Sequence, residues 1–227
     1  MKLLFPQTVK LKALDGTVRI EFLNSTHIDL MRSFDAGPKG KEQTDFARND
    51  AWNSHSRGLS TVFVVLSGEE LLGYFTLSPF IVSLKIRDDL SENQRELVEK
   101  LRKRLVELLG MDIKYSSVPT ILLGQFGIQE EYQGRGIGGE LLAEIIKPYA
   151  ILYAAQIGGV GLSLHAKKKV AKQFYLNPKK NSLAEGFCVV SAGGTYELIY
   201  PFVKEVSGVR KRLMELLQKR TQLKERP

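Results

Sequence analysis

The stretch Ile121-Leu122-Leu123-Gly124-Gln125-Phe126-Gly127-Ile128-Gln129-Glu130-Glu131-Tyr132-Gln133-Gly134-Arg135-Gly136-Ile137-Gly138-Gly139 decides the reading of this chain. Its first eight residues form a continuous apolar run bounded by Pro119, which predicts a central buried strand. Residues 129–132 predict a turn. The glycines after it lead into a helix that carries Leu141, Leu142, Ile145 and Ile146. Strand, glycine-rich turn and helix N-terminus together hold phosphates. Glycine lets the backbone approach closely, and the free N–H groups of the first helical turn face the anion. Gly134, Gly136 and Gly139 formally match the dinucleotide pattern G-x-G-x-x-G. That pattern also needs an acid about 20 residues on to hold a ribose. Here the next strand ends in His165-Ala166 with no carboxylate, so a dinucleotide fold is excluded.

Outward from this stretch, residues 160–165 predict a strand, residues 170–176 a short helix, and residues 187–190 and 195–201 two further strands. Upstream, residues 17–22 alternate with period two as a half-buried strand does. A polar stretch at 29–34 and a Gly/Pro break follow, then a single helix over 41–57 that ends at Gly58. Residues 60–66 and 71–79 pair as a hairpin across Ser67-Gly68. Residues 88–109 read as a separate helix, with Ser91 and Gln94 as a capping box, Leu97, Leu101, Leu105 and Leu108 on one face, and Gly110 as the stop. A second amphipathic helix spans about 207–223. There is no internal repeat.

Gln133-x-x-Gly136-x-Gly138 resembles the acetyl-CoA pyrophosphate loop of the GNAT acetyltransferase superfamily. The flanking strand and helix, the next strand, the helix ending Phe174-Tyr175 and the later Glu185-Gly186-Phe187 follow that superfamily's order over residues 17–202. The resemblance implies an α/β (α+β) fold: a GNAT-like twisted mixed β-sheet flanked by helices, plus an inserted helix and a C-terminal amphipathic helix. It implies a GNAT domain over 1–203, with the helical insertion at 88–110 and a basic extension at 204–227. It also implies acetyl-CoA as the acetyl donor, with backbone groups of Phe126, Gly127 and Ile128 on its pantetheine arm. Gln133 and Gly134 are expected among the cofactor-binding residues, and Arg135, Gly136, Ile137, Gly138 and Gly139 are expected to hold the pyrophosphate.

Acetyl transfer to an amine needs a neutral acceptor, a stabilised oxyanion and a proton for the leaving thiolate. Tyr175 resembles the tyrosine that many GNAT enzymes use as general acid, and a phenol of pKa about 10 is protonated at pH 7. The alternative makes Phe174 and Tyr175 plain core aromatics. No base stands on the strand before the loop, where Gln125 is the one polar side chain; Glu130 and Glu131 lie beyond it and face solvent. Lacking a base favours an α-amine of pKa about 7.7–8.0 over a lysine at about 10.4.

Phe34-Asp35-Ala36-Gly37, the helix at 45–51, Thr61-Val62-Phe63-Val64, Gly73-Tyr74-Phe75-Thr76-Leu77 and Val118-Pro119 are similar to the tRNA-acetylating toxins of bacterial toxin–antitoxin modules. That resemblance implies aminoacyl-tRNA as acceptor, tRNA contact through Lys167, Lys168, Lys169 and Lys172, an antitoxin partner and a homodimer. This chain departs from those toxins in its length, the inserted helix, the spacing of Tyr175 from Gly186-Phe187 and the basic tail. A small-molecule or protein amine is the alternative acceptor. A non-catalytic module binding acetyl-CoA or nucleic acid is the alternative of another class.

Composition sets the outer bounds. The 227 residues are 43% hydrophobic, enough for a core, and carry a formal net charge of +8. Residues 204–227 hold eight Lys/Arg against three acids, and residues 165–180 hold six lysines and no acid. Such clusters attract polyanions, whether nucleic acid or a phosphate-rich donor. One cysteine, Cys188, rules out an internal disulfide and any Cys-based zinc site, and it reads as core. His27, His55 and His165 lack metal-ligand spacing, so no metal is expected; His165 ends a strand beside the cofactor loop and reads as a plain strand-end residue, with a role near the donor as the alternative. Trp52 and Asn53 read as packing. No apolar run reaches the roughly 18 residues that span a bilayer, and the expected compartment is the cytoplasm.

Overall fold

The computed structural model describes residues 7–86, 91–110, 117–192 and 194–224. Eight strands form one sheet in the order β1-β2-β3-β4-β5-β6-β8-β7. They are β1 (Gln7–Leu11), β2 (Gly16–Phe22), β3 (Thr61–Ser67), β4 (Glu70–Ser83), β5 (Ser117–Ile128), β6 (Gly161–Lys167), β7 (Cys188–Ala192) and β8 (Thr195–Pro201). Only β5 and β6 run parallel; every other neighbouring pair is antiparallel. This is the mixed sheet that the sequence predicts, with one strand more. β1 closes the edge beside β2, and its alternation is too polar to see, since Leu11 is its one fully buried residue.

One face of the sheet carries α5 (Ile137–Leu141), which continues through a π-helical turn, Leu142–Ile146, into α6 (Lys147–Ile157). Leu141, Leu142, Ile145 and Ile146 pack there against Phe75, Leu77, Ile121, Leu162 and Leu164 in the main core. α8 (Val203–Lys224) lies on α6, where Arg210 donates to the carbonyls of Ala155 (3.0 Å) and Ala154 (3.2 Å).

The other face is covered in two separate places. α1 (Ile28–Ser33), α2 (Lys41–Asn49) and α3 (Ala51–Ser56) cover β2–β4 through Met31, Ala47, Ala51, Val62, Val64 and Tyr74. The helix expected over 41–57 is therefore two helices, bent at Asp50 so that Ala47 and Ala51 both stay buried. α4 (Glu92–Leu109) covers the far ends of β4, β5, β7 and β8. Its Ser91–Gln94 capping box and its Gly110 stop form as predicted. Its buried stripe is Val98, Leu101 and Leu105, with Leu97 and Leu108 at the rim. The expected start at Asp88 lies outside the described residues. Beside α2, residues of β5 and β6 form the floor of a groove lined also by Lys39, Glu42 and Gln43.

Pro119 does not bound β5 but sits inside it, opposite Ile81. Its carbonyl accepts from Val160 N–H at 2.9 Å, on the side away from β4, so its missing N–H costs no bond to that strand. Among the described residues no helix is long and apolar enough to cross a membrane.

Candidate active site

The site begins with a bulge. β4 and β5 pair Leu77 with Leu123 but Phe75 with Phe126, so Gly124 and Gln125 together oppose Thr76. The Thr76 hydroxyl accepts the Gln125 N–H at 2.8 Å and holds the irregularity open. An extra residue reverses the in–out alternation and bends the strand. Ile121 and Leu123 before it, and Phe126 and Ile128 after it, thus all face the α5–α6 side. The apolar run therefore looks unbroken in sequence although the strand is half-buried on each side of the bulge.

Beyond the bulge β5 leaves β6. The two pair only at Ile121–Leu162, Leu122–Ser163 and Leu123–Leu164, although β5 continues to Ile128 along β4 and β6 to Lys167 along β8. Gln129 N–H donates to the Leu72 carbonyl at 2.9 Å, which fixes the phase of the ladder. By antiparallel alternation Gly127 exchanges its bonds with Tyr74, while Phe126 and Ile128 turn their amide groups into the opening. Of the three residues expected to present backbone to a pantetheine arm, Gly127 is the exception. Its lack of a side chain serves packing instead: a Cβ there would come within 2.8 Å of Phe34 and 2.9 Å of Tyr74.

The glycine loop closes one end of this opening. Gly134 (φ 77°) and Gly136 (φ 86°) take left-handed conformations, and Gly136 caps α5. The amides of Gly134, Arg135, Gly136, Ile137 and Gly138 have no hydrogen-bond partner among the described residues; the first loop amide to be satisfied is Gly139, by the Gly136 carbonyl. Five free donors at the positive end of a long helix are a fit for a diphosphate. Gln133 braces the loop, giving its Nε2 to the carbonyls of Ala36 (2.9 Å) and Ile128 (2.8 Å). The Ile137 side chain is core, so its backbone alone faces the site. The Arg135 guanidinium lies over the Tyr132 ring, 5.6 Å from its centroid, rather than in the cleft.

A cleft of ≈ 260 Å³ runs from this loop to Tyr175, lined by Phe126, Ile128, Tyr132, Gln133, Gly134, Gly136, Gly138, Gly139, Val170, Phe174 and Lys180. Lys180, which the sequence shows only as part of the acid-free lysine stretch at 165–180, is a member of this lining. The Asn177-Pro178 turn brings it there, and Gly139 has no Cβ because the Lys180 carbonyl occupies that space. A second cleft of ≈ 150 Å³ enters from the groove beside α2. It is lined by Lys39, Glu42, Gln43, Leu123, Gly124, His165, Ala166 and Lys167, and shares Phe126, Val170 and Tyr175 with the first.

Tyr175 thus stands where the two clefts meet. It closes a π-helical turn, Ala171–Tyr175, that follows α7 (Lys168–Val170). Asn181 Nδ2 donates to its carbonyl at 3.2 Å, and Phe174 and Phe187 meet its ring edge-on at 4.9 and 5.9 Å. Burial raises the phenol pKa well above its ordinary value, so the hydroxyl keeps its proton at neutral pH. Its oxygen has no hydrogen-bond partner among the described residues.

Lys167 reaches across the groove to Glu42 at 2.7 Å, while Lys168, Lys169 and Lys172 are exposed on the turn that carries Tyr175. His27 caps the turn before α1 beside Glu21, and His55 accepts from Val62 N–H at 3.1 Å, with burial lowering its pKa. Half-buried Cys188 has a raised thiol pKa, burial being the cause. Trp52 does not pack as expected: it is 40% exposed, on a separate pocket beside Arg32 and Arg48. Among the described residues no three His, Cys, Asp or Glu side chains group as a metal site needs.

No protein-family model matches the chain. A tRNA-acetylating toxin of Mycobacterium tuberculosis is 25% identical over 149 residues, 66% of this chain and 76% of that protein. AtaT complexed with acetyl-methionyl-tRNAfMet superposes with a TM-score of 0.57 at 20% identity, over 88% of this chain and 98% of AtaT. A mutant of AtaT bound to acetyl-CoA and the C-terminus of the antitoxin AtaR gives 0.56 at 18% identity, over 85% and 97%. A mutant of KacT gives 0.57 at 22% identity, over 85% and 98%. The chain has the GNAT-like fold of these toxins.

Proposed function

We propose that this protein is an acetyl-CoA-dependent N-acetyltransferase whose acceptor is the α-amino group of an aminoacyl-tRNA. The observation that carries the reading is the splay of β5 from β6, with a donor cleft on one side, an acceptor cleft on the other and Tyr175 at their junction. The M. tuberculosis toxin and the AtaT complex supply the acceptor class. Amides 134–138 bind the donor's diphosphate, and Lys180 adds a positive charge beside it. Phe126 and Ile128 offer backbone groups to the pantetheine as a further strand would, which aims the thioester at Tyr175.

The neutral amine enters from the groove and attacks the thioester carbonyl. A C–N bond forms, the C–S bond breaks, and Tyr175 gives its phenolic proton to the leaving thiolate; the amide nitrogen then returns a proton to Tyr175. The high phenol pKa suits this order, because the proton leaves only as thiolate charge develops beside it. A tRNA acceptor places the protein in the cytoplasm, and the toxin likeness gives it a protein antitoxin as partner, as AtaT has in AtaR.

The test incubates the purified chain with radiolabelled acetyl-CoA and tRNA charged in vitro with single amino acids. Label is expected on charged tRNA, and alkaline deacylation is expected to release it as an N-acetyl amino acid. Measurable acetyl-CoA binding with no labelling of any charged tRNA would remove the acceptor. Failure to bind acetyl-CoA would remove the whole reading.

A further inference from the structure

The mechanism above needs a neutral amine, yet at neutral pH most α-amines are protonated. An acceptor of pKa about 7.7–8.0 is only about one-twentieth neutral at pH 6.5. The acceptor cleft contains two groups able to take that proton. One is Glu42, which already holds Lys167 at 2.7 Å. The other is His165.

His165 projects from β6 onto the groove floor, on the face opposite Leu164 and Ala166, whose side chains belong to the core. Its side chain is 44% exposed, so substrate can reach it. Phe80 of β4 meets the ring edge-on, 5.5 Å between centroids, which limits its orientation. Its register partner on β8 is Glu197, with Oε1 3.9 Å from Nε2 and a side chain only 21% exposed. Lys167 on its own strand, Lys39 just before α2 and Glu42 in its first turn are the other charged groups on this cleft. Lys167 is paired with Glu42, and Glu197 is the carboxylate in ion-pair range of the ring. Burial raises the pKa of the Glu197 carboxyl, and the imidazole beside it opposes that rise.

Building on the aminoacyl acceptor reading, we propose that His165 is the catalytic base of the acceptor side, taking one proton from the substrate ammonium before attack, with Glu197 as its positioning residue. The imidazole becomes imidazolium and the amine becomes neutral. After acetyl transfer the imidazolium releases that proton to solvent through the open groove. Tyr175 serves the thiolate and His165 the amine, so acid and base stand in two clefts that share one wall.

The experiment measures kcat/KM from pH 6 to 8.5 for the full chain and for His165→Asn, with methionine methyl ester and with in vitro charged tRNA as acceptors. The variant is expected to lose about tenfold at pH 6.5 and less than about twofold at pH 8.5, where the amine deprotonates unaided. Acetyl-CoA affinity and melting temperature should stay within error. Glu197→Gln is expected to move the acid limb to lower pH, because the imidazolium loses its partner. A loss independent of pH, an intact rate at pH 6.5, or a fixed acid limb in Glu197→Gln would overturn the assignment. If the ester is acetylated and charged tRNA is not, the tRNA reading fails while the ester profile still decides His165. If neither acceptor reacts, both fall.

Discussion

Tyr175 buries its ring, while its hydroxyl, which makes no hydrogen bond among the described residues, lines both clefts and adds nothing visible to the packing. Removing that oxygen should therefore leave folding intact while removing the proton donor. Tyr175→Phe is expected to lower kcat by about 10²–10⁴-fold, the range for loss of a general acid. Its acetyl-CoA dissociation constant should stay within about twofold, and its melting temperature should not fall. Isothermal calorimetry, thermal melts and initial rates check all three, and an unchanged kcat would take Tyr175 out of the mechanism. Its position at the end of a short helix after β6 was legible from the order of elements. The acceptor-side place of His165 was not, because it depends on which face of β6 the residue occupies and on a neighbour, Glu197, 32 positions away. Trp52 was misread for the same reason, since composition favours burying a tryptophan and only the packing of α1–α3 leaves it exposed.

The glycine loop was legible as an element, but its glycines serve unlike purposes. Gly134 has a left-handed φ of 77° and open space around its missing side chain. Gly139 has an ordinary conformation, but a Cβ there would strike the Lys180 carbonyl and approach Asn181 Cα at 3.7 Å. The first costs a backbone penalty of about 1–2 kcal/mol when replaced by alanine. The second forces the 180–181 backbone away, and with it the carboxamide that holds Tyr175. Gly139→Ala is therefore expected to raise the KM for acetyl-CoA at least about tenfold, with overpacking costing about 1–3 kcal/mol. Gly134→Ala should change KM less, despite its positive φ. Denaturant titrations and saturation curves compare the two, and the reverse order would contradict the assigned packing role. β5 was legible as a central strand and illegible as a bulged one, because ILL-GQ-FGI hides two alternating segments of opposite phase. In α4 the leucine pattern gave the element and its caps, while the layer beneath selected Val98 over Leu97 as the buried member.

At the scale of the whole molecule, contacts between distant parts of the chain complete the donor site. Glu140, in the first turn after the phosphate loop, accepts from Lys12 N–H at 2.7 Å and Ala13 N–H at 2.8 Å, which ties the end of β1 to that loop. A bond spanning 127 or 128 residues leaves no periodic signal in the sequence. The charge distribution was visible, but its division of labour was not. Of the lysines expected to meet tRNA, Lys167 is committed to Glu42, whereas Lys168, Lys169 and Lys172 are exposed with no acidic partner among the described residues. They sit on the turn that ends in Tyr175, outside the donor cleft, where Lys180 is the lining lysine. Their placement favours a polyanion arriving with the acceptor over the phosphates of the donor. The triple variant Lys168→Glu, Lys169→Glu, Lys172→Glu should then weaken charged-tRNA binding and flatten its salt dependence by about 2–3 in the slope of log K against log salt, at about 0.7–0.9 per lost phosphate contact. The KM for acetyl-CoA separates the two explanations. If it rises while the tRNA slope stays fixed, the three lysines serve the donor, and the tRNA surface must be sought on the far wall of the groove, at Lys39 and α2.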